Sequence, residues 1–562
     1  MRKLIECVPN FSEGRDLSVI KQITDTIESC EGVKLLDVDP GQATNRTVVT
    51  FVGTPDEVIE AAFQAIKKAS ELIDMSKHHG AHPRFGATDV CPLVPVANIS
   101  MEEVVEYAHK LAKRVGDELN IPIYSYESAA LIPERKNLAY CRSGEYEGLQ
   151  DKLAKPEWKP DFGPAKFNAK AGATAIGARD FLIAVNYNLN TTSTRRANAL
   201  AFDVREKGRP VREGNPITGK IKKDENGNEI WQAGTLKGTK AIGWFIDEYK
   251  IAQVSMNITN IAETPLHIAF DEINSKAIER GLRITGTEIV GLVPKKTIID
   301  AGKYFLRKQN RSLGVSEDEI IKIAVKSMGL DDLKPFVAEE KIIEFMLDAE
   351  EKTEKLVDMS CVEFANESAS EAPAPGGGSV SAYVGALGAA MATMVANLSS
   401  HKAGWDDRWE EFSDWAEKGQ KLKDELLHLV DEDTASFNKI MAAFGLPRGT
   451  EEEKQIRHNT IQDATKAATM VPFNTMLKAF EVFEVCKVMA EKGNPSLASD
   501  AGVGALCSRA AVMGAFLNVK INAADIEDKA FVQDLLDRGK EIEDKSAKLE
   551  KEILEMVNKI IG

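Results

Sequence analysis

The densest group of side chains that could do chemistry lies at residues 77–89, where three of the chain's eight histidines fall within five residues. A metal site is disfavoured, because Gly80 and Pro83 break any helix and keep His78 and His82 off a common helical face. An imidazole titrates near neutral pH, so the segment is interpreted as a catalytic loop that presents one histidine as a general base. A structural turn is the alternative.

Two charged residues could assist such a histidine. Arg84 follows His82 by two positions and could bind a carboxylate or stabilise a developing charge. Asp39 ends a predicted strand, and a carboxylate there could orient an imidazole and stabilise its charged form. The spacing does not show that Asp39 meets His82, and an Asp that caps a turn fits the local sequence equally well.

Asp433 lies in the middle of an apolar helical stripe. The stripe consists of Leu426, Val430, Phe437 and Ile440. A carboxylate on an apolar face is costly unless it is paired or hydrogen-bonded. Burial should raise its pKa, which suits a general acid. The alternative is a structural network of buried polar groups.

Three further motifs could bind a ligand. Gly376–Gly378 precede a predicted helix and could form an anion-binding nest, although the Lys of a P-loop is missing and a linker fits as well. Residues 161–164 and 172–179 carry glycines that would admit a flat ligand, or form a flexible connector. Asn518 and Asn522 lie one helical turn apart and could hydrogen-bond a polar heterocycle or satisfy neighbouring helix ends.

The elements that must position these residues change character along the chain. The first half alternates strands and helices, and the order β-α-β-β-α-β occurs twice. We therefore predict an α/β (α+β) half built of two related βαββαβ-type subdomains, at 1–180 and 181–348, with a cleft or tunnel between them. A charged linker follows at 349–356, and 357–562 is predicted to be an all-α helical bundle.

The periodicity predicts most elements of the first half. Strands are predicted at 4–8, 33–38, 47–52, 121–125, 181–189, 241–246, 252–258 and 288–293. Helices are predicted at 16–30, 55–73, 101–119, 194–205 and 265–280. Residues 208–238, rich in Gly, Lys and Asn, are predicted to be an exposed excursion.

Composition limits the function classes. The 562 residues carry a net charge of −16, so a nucleic-acid partner is not expected. Seven scattered cysteines and the absence of a signal-like N-terminus favour a reducing, cytoplasmic location. Val380–Ser399 is an uncharged run long enough to span a membrane, but its alanines, glycines and polar residues favour a helix buried among other helices, and no membrane association is expected.

Longer motifs resemble a known family. CVPNFSEGR, LLDVD, TNRTV, LIDMSKHHGAHPRFGATDVCP, PDFGP and GATAIGARDFLIAVN are similar to the formiminotransferase domain. APGGGSVSAYVGALGAAM, LVDEDTASF and GNPSLASDAGVGAL are similar to the cyclodeaminase domain. Together they cover essentially the whole chain, in the order of the bifunctional formimidoyltransferase-cyclodeaminase family.

The resemblance implies two folate-dependent steps of histidine degradation. The formimidoyl group of N-formimidoyl-L-glutamate passes to N5 of tetrahydrofolate, and the product cyclises to 5,10-methenyltetrahydrofolate with loss of ammonia. It also implies tetrahydrofolate, with or without a polyglutamate tail, as co-substrate, no tightly bound cofactor, no metal and a homo-oligomer.

The resemblance further assigns site residues. It makes His82 the transferase histidine, Asp39 and Arg84 its supports, and Asp433 the deaminase acid. The folate-binding segment falls on Gly163, Pro164, Ala165, Lys166, Phe167, Asn168, Ala169, Lys170, Ala171 and Gly172.

The chemistry of the residues agrees with this assignment. One histidine can take a proton from the attacking amine and return it to the leaving amine. A neutral buried carboxylic acid can protonate departing ammonia. Two alternatives stay open: a glutamate formyltransferase fused to a methenyltetrahydrofolate cyclohydrolase, and a non-catalytic folate-binding scaffold.

Overall fold

The computed structural model describes residues 3–42, 45–80, 83–214, 219–247, 249–348 and 355–562. The chain folds into two compact units, Met1–Thr297 with Met328–Ala349, and Ile298–Ser327 with Glu350–Gly562. Residues 298–327 thus pack within the second unit, although they precede the predicted linker at 349–356. Positions 349–354 of that linker lie outside the described residues.

A seven-stranded sheet organises the first part of the first unit. Its strands are β1 (Leu4–Cys7), β2 (Asn10–Phe11), β3 (Val33–Gly41), β4 (Arg46–Gly53), β5 (Thr88–Ala97), β6 (Ile123–Glu127) and β7 (Thr174–Ala178). β1 and β2 occupy the same position in the sheet, where each pairs with β4 on one side and β5 on the other. β3 pairs with the other edge of β4, and all these pairs are antiparallel. β7 and then β6 extend the sheet beyond β5 in parallel.

The second part of this unit repeats the core of the first. Its strands are β8 (Ile183–Leu189), β9 (Arg209–Pro210), β10 (Trp231–Gln232), β11 (Thr239–Ile246), β12 (Ile251–Ile258) and β13 (Ile284–Val290). β9 and β10 form a separate two-stranded ribbon in the excursion, and the other four make an antiparallel sheet in the order β11-β12-β8-β13. The order β3-β4-β1-β5 is the same arrangement, which confirms the prediction of two related βαββαβ-type subdomains.

The helices of the first half begin at recognisable signals. They are α1 (Leu17–Glu28), α2 (Pro55–Leu72), α3 (Met101–Leu119), α4 (Leu138–Cys141), α5 (Leu149–Leu153), α6 (Thr194–Val204) and α7 (Leu266–Glu279). The Asp16 carboxylate caps α1, and Ser100 with Glu103 forms a capping box at α3. The predicted bounds of the five long helices agree with these ranges to within two residues at each end.

The two strands beside the predicted catalytic and folate segments were not predicted. β5 is central, yet it contains Pro92 and Pro95, and proline argues against an interior strand. β7 was interpreted as a connector or a ligand approach because of its small residues. Gly177 is needed there because a Cβ would lie 2.6 Å from Cδ1 of the Tyr126 ring.

Helices make up most of the described chain after β13, and those beyond residue 356 confirm the all-α bundle predicted at 357–562. They are α8 (Lys295–Lys308), α9 (Glu317–Met328), α10 (Ala338–Lys341), α11 (Ile343–Asp348), α12 (Cys361–Ser368), α13 (Gly377–Ser400), α14 (Trp409–Phe444), α15 (Glu451–Lys492), α16 (Ala498–Ala523) and α17 (Lys529–Ile561).

Small residues let the central helices approach closely. A Cβ at Gly388 of α13 would lie 2.9 Å from the Gly504 carbonyl of α16, and a Cβ at Gly419 of α14 would lie 2.2 Å from Oγ1 of Thr393. Two helical segments of the described chain, 377–400 and 495–523, are long and apolar enough to span a membrane. The most apolar window of the first is 61% buried inside the unit, as expected for a core helix.

A buried charge network joins the strands of the first sheet. The Asp89 side chain is fully buried, and its Oδ2 accepts hydrogen bonds from Arg46 at 2.5 Å and Arg142 at 2.9 Å. Its Oδ1 accepts from the Phe85 amide at 3.1 Å, and the Arg46 guanidinium also donates to Oδ1 of Asn10. Two guanidinium groups share the Asp89 carboxylate, which has no exposure to solvent. The network therefore depends on Asp89.

We therefore predict that Asp89→Asn lowers the free energy of opening of β5 by about 3–5 kcal/mol, because it leaves two guanidinium groups without their shared countercharge. Hydrogen exchange of the β5 amides measures this directly. The matched control is Asp25→Asn, which breaks the exposed Lys21–Asp25 pair and should cost less than about 1 kcal/mol. Equal effects of the two substitutions would contradict the prediction.

Candidate functional site

His78 anchors the predicted catalytic loop of the first unit. It follows a short 3₁₀ turn, Met75–Lys77, and its ring is buried. Its Nε2 lies 2.8 Å from the Asn45 carbonyl oxygen, and its Nδ1 lies 3.2 Å from Nε of Arg84. His82 lies outside the described residues, so its assignment as the transferase histidine stays a prediction.

The partners of His78 determine its protonation state. The Nε–H of Arg84 can only donate, so Nδ1 of His78 must accept, and Nε2–H donates to the Asn45 carbonyl. Burial, followed by the nearby Arg84 charge, lowers the pKa of His78 and outweighs the Asn45 hydrogen bond, which raises it. Since both nitrogens are occupied and the ring is neutral, His78 is not arranged to shuttle protons.

Arg84 is buried and fully engaged within the protein. Its two terminal nitrogens donate to the Glu147 carboxylate at 2.9 and 2.7 Å, and further bonds reach Glu145 at 3.3 Å and the His78 carbonyl at 3.1 Å. The hydrogen bond with Glu147 raises the pKa of Arg84 and lowers that of Glu147 to about 2. With all five N–H groups occupied, Arg84 positions the loop, and its predicted contribution to catalysis remains a prediction.

Asn45 is a residue that the sequence reasoning missed. Its side chain donates to the His79 carbonyl at 3.1 Å and accepts from the Gly14 amide at 3.0 Å. Its own carbonyl holds His78, so one residue ahead of β4 fixes two histidines of the loop. The only signal in the sequence is its place in the TNRTV motif, because no periodicity marks a single residue whose hydrogen bonds reach segments more than thirty positions away.

The predicted folate-binding segment runs beside this loop. It ends at Gly172, where a Cβ would lie 2.2 Å from the Phe85 carbonyl oxygen. The Ala87 amide donates to the Ala171 carbonyl at 2.8 Å, and the Tyr146 hydroxyl donates to the Ala169 carbonyl at 2.6 Å. The structure therefore brings the end of the Gly163–Gly172 segment against the backbone of Phe85 and Ala87, just before β5.

The start of the folate segment is also fixed. Asp161 accepts a hydrogen bond from the Ser125 amide at 2.7 Å, and its other oxygen pairs with the buried Arg135. Gly163 has a φ of +76°, and a Cβ there would lie 2.4 Å from the Ile121 carbonyl oxygen. Both ends of the segment thus depend on glycine.

Asp39 lies apart from these contacts. It is exposed on β3, opposite Val48 of β4, and its side chain forms no hydrogen bond or ion pair with the residues that the structure describes. Its strand leads to the turn that carries Asn45. The predicted contact between Asp39 and His82 involves a residue outside the described part of the chain, and it stays a prediction.

A pocket of about 160 Å³ in the second unit gathers the residues singled out in the helical half. It lies where the N-terminus of α13 meets α14, α15 and α16. It is lined by Pro373, Ala374, Gly376, Gly377, Gly378, Asp433, Thr434, Ser436, Phe437, Ile440, Ala468, Asn518 and Asn522.

The Asp433 carboxyl is held asymmetrically at this pocket. Its Oδ2 accepts from the Ser379 amide at 2.9 Å and from the Ser379 hydroxyl at 3.0 Å. Its Oδ1 has no hydrogen-bond donor within the described ranges. Burial raises the pKa of Asp433 and outweighs the Ser379 hydrogen bonds, which lower it. A proton on this carboxyl therefore sits on Oδ1.

The two glycines at the start of α13 make room for polar side chains. A Cβ at Gly378 would lie 2.2 Å from Oδ1 of Asp433, and a Cβ at Gly377 would lie 3.1 Å from Nδ2 of Asn518. Gly376, one residue earlier, has nothing within 4 Å of the equivalent position. The run of glycines is therefore a close approach of backbone to side chains at 377 and 378.

Within the described parts of the chain, no three His, Cys, Asp or Glu residues group as ligands for a metal ion. His82 is not among those residues, and the expectation of a metal-free site stays a prediction.

Three family models match consecutive parts of the chain. The N-terminal subdomain of the formiminotransferase domain matches residues 4–179, and the formiminotransferase domain matches residues 184–348. The formiminotransferase-cyclodeaminase model matches residues 360–541.

Individual relatives match the whole chain or one of its halves. The formimidoyltransferase-cyclodeaminase of Gallus gallus is 42% identical over 531 residues, which is 94% of either chain. The glutamate formimidoyltransferase of Streptococcus pyogenes is 42% identical over 55% of this chain and 95% of its own length. The methenyltetrahydrofolate cyclohydrolase of Methylorubrum extorquens is 39% identical over 31% of this chain and 83% of its own length.

Proposed function

The chain belongs to the formiminotransferase-cyclodeaminase family, and we propose that it catalyses two successive reactions on one reduced folate. The first transfers the formimidoyl group of N-formimidoyl-L-glutamate to N5 of tetrahydrofolate and releases glutamate. The second closes 5-formimidoyltetrahydrofolate to 5,10-methenyltetrahydrofolate and releases ammonia. The observation that carries the second step is the Asp433 carboxyl, which lines a pocket, with Oδ2 bound by Ser379 and Oδ1 left without a donor among the described residues.

For the transfer, we propose His82 as the group that moves the proton. The attacking N5 must lose a proton and the leaving glutamate nitrogen must gain one, which a single imidazole can do in turn. The neutral, doubly bound His78 fits a structural part in the same loop, with Arg84 and Asn45 holding it. The folate segment 163–172 lies alongside and would place the pterin next to the loop.

For ring closure, N10 attacks the formimidoyl carbon and an amine must leave. A bound –NH₂ group is a poor leaving group until it is protonated and can depart as ammonia. A carboxyl with a raised pKa keeps its proton to a higher pH than an ordinary carboxyl and supplies that proton. The raised pKa of Asp433 supports this role. Neither step requires a redox group, so tetrahydrofolate acts as co-substrate and no tightly bound cofactor is proposed.

One alternative has a specific observation behind it. The likeness to a methenyltetrahydrofolate cyclohydrolase favours water chemistry in the second unit. This alternative pairs that reaction with a glutamate formyltransferase in the first unit. Release of ammonia separates the two, since only the formimidoyl route yields it. A scaffold without activity would release neither glutamate nor ammonia.

We also propose the metabolic route and the cellular location of the two reactions. The two steps belong to histidine breakdown, in which the first substrate arises. The seven cysteines, all in the described part of the chain, are free thiols, which supports a cytoplasmic location. The excursion that carries Lys220, Lys222 and Lys223 could contact a polyglutamate tail on the folate.

A homo-oligomer is proposed from an apolar face on α13 and α16. Large side chains stand 36–70% exposed along one side of these packed helices. They are Val380, Leu387, Leu398, Val503, Leu506, Met513, Leu517 and Ile521. A contiguous apolar surface of this kind marks an interaction site, and we propose a second copy of the chain as its occupant.

We first predict that single substitutions strongly reduce one activity and leave the other intact. His82→Ala should lower glutamate release about 10²–10⁴-fold and leave ammonia release from added 5-formimidoyltetrahydrofolate intact. Asp433→Asn should have the opposite effect, because an amide cannot donate the proton that the amine needs. A coupled assay follows glutamate, ammonia and the methenyl chromophore together, and Asp424→Asn on the exposed side of α14 is the control. Normal ammonia release by Asp433→Asn would exclude it as the acid.

A second expectation concerns the glycines of α13. Gly378→Ala should reduce ammonia release at least tenfold, because its methyl group would displace the Asp433 carboxyl, whereas Gly376→Ala should leave the rate within about twofold. Glutamate release by the same preparations reports whether the first unit is intact. Equal losses in the two variants would mean that the glycine run acts only as a linker.

The oligomer is tested by placing a charge on its proposed interface. Leu517→Lys should shift sedimentation of the protein to a smaller species, because an ammonium would be buried opposite the partner's apolar face. Ile456→Lys on α15 adds the same charge at a residue that is 56% exposed and serves as control. An unchanged sedimentation coefficient for Leu517→Lys would refute this interface.

A further inference from the structure

Asn518 presents an unused acceptor to the pocket of the second unit. Its Nδ2 donates to the Gly514 carbonyl at 2.9 Å on the preceding turn of α16. A carbonyl can only accept, so this bond fixes which end of the amide faces it. The Oδ1 atom of Asn518 is therefore left without a donor among the residues that the structure describes.

The Asn518 amide and the Asp433 carboxyl lie against two consecutive glycines of α13. The consecutive residues Gly377 and Gly378 separate the Asn518 amide from the Asp433 carboxyl, with hypothetical Cβ atoms 3.3 Å from Oδ1 of Asn518 and 2.2 Å from Oδ1 of Asp433. Asn522 lines the same pocket one turn further along α16, and its Nδ2 is directed at the Ala468 carbonyl at 3.5 Å. The pocket thus combines one proton donor with amide oxygens.

The reacting nitrogen has the complementary pattern. In the protonated substrate, attack of N10 on the formimidoyl carbon forms the N10–C bond and leaves an –NH₂ group on that carbon. The Oδ1 proton of Asp433 passes to this nitrogen, and the N10 proton restores the carboxyl. The C–N bond then breaks with its electron pair on nitrogen, giving NH₃ and the methenyl cation. Nitrogen carries two and then three N–H donors during this step, of which the carboxyl binds one.

We propose that Oδ1 of Asn518 accepts a hydrogen bond from the departing amine, so that Asn518 selects nitrogen as the leaving group of the second reaction. This inference rests on the proposed function. An amide oxygen cannot donate, so it favours a group rich in N–H and aligns the nitrogen lone pair toward Oδ1–H of Asp433. The bond strengthens when the neutral –NH₂ group of the tetrahedral adduct becomes –NH₃⁺, which places its effect on the rate of ring closure and not on folate binding.

The test compares two folates that differ only at this atom. Asn518→Leu removes the acceptor at similar size, and Asn558→Leu on the exposed side of α17 is the matched control. We expect Asn518→Leu to lower kcat for ammonia release by about 10–100-fold, the effect of one hydrogen bond to a charged group. The Kd for 5-formyltetrahydrofolate, which carries oxygen in place of the imino nitrogen, should change less than about threefold.

A second readout separates this role from a structural one. Hydrolysis of 5,10-methenyltetrahydrofolate in the same pocket adds water to the bridging carbon and breaks its bond to a folate nitrogen, so no ammonia departs. Asn518→Leu should therefore shift the ratio of the two rates at least tenfold toward hydrolysis. If both rates fall equally, or if 5-formyltetrahydrofolate binds as weakly as the rate falls, Asn518 holds the pterin or the fold and the inference is wrong. If wild type and Asn558→Leu release no ammonia, the proposed function itself fails.

Discussion

Both candidate sites depend on backbone that passes closer than a side chain would permit. In the first unit, Gly172 lies where a Cβ would be 2.2 Å from the Phe85 carbonyl, so the folate segment can join the strand entry. In the second, a Cβ at Gly378 would lie 2.2 Å from Oδ1 of the Asp433 carboxyl. No rearrangement of neighbouring side chains relieves the first contact, because it is with backbone. Glycine at these positions is thus a condition for the site geometry, beyond the flexibility that it gives a loop.

The two units hold protons in place by opposite means. His78 has both ring nitrogens engaged, which leaves one neutral tautomer and no free atom for exchange. Asp433 has two donors on one oxygen and none on the other. Burial alone would favour the neutral carboxyl strongly, and the Ser379 bonds reduce that preference without removing it. Oδ1 is therefore the oxygen that a proton on this carboxyl would occupy.

The sequence predicted those features of the structure that depend on neighbouring residues. The five long helices of the first half followed from periodicity, whereas the short α4 and α5 did not, and Asp433 was singled out by its place on an apolar stripe. β5 and β7 did not follow, because prolines and small residues conceal strands whose pairing comes from distant segments. Asn45 and Glu147 were also missed, since each acts on a residue more than thirty positions away. The pocket brings together residues from 373 to 522, and only the packing of four helices joins them.

The membrane-like composition of α13 and α16 follows from the same geometry. For the Asp433 carboxyl and the Asn518 amide to reach the first turn of α13, the helices that carry them must lie close to it, and only glycine, alanine and serine permit that distance. A helix of such residues has few charges and a high mean hydropathy, so it satisfies the length and composition criteria for a span. In α13 the hydroxyls of Ser381, Thr393 and Ser399 donate to the carbonyl four residues earlier in the same helix, and so need no other polar partner in the core. The apolarity of these helices is therefore explained by the close packing that builds the pocket.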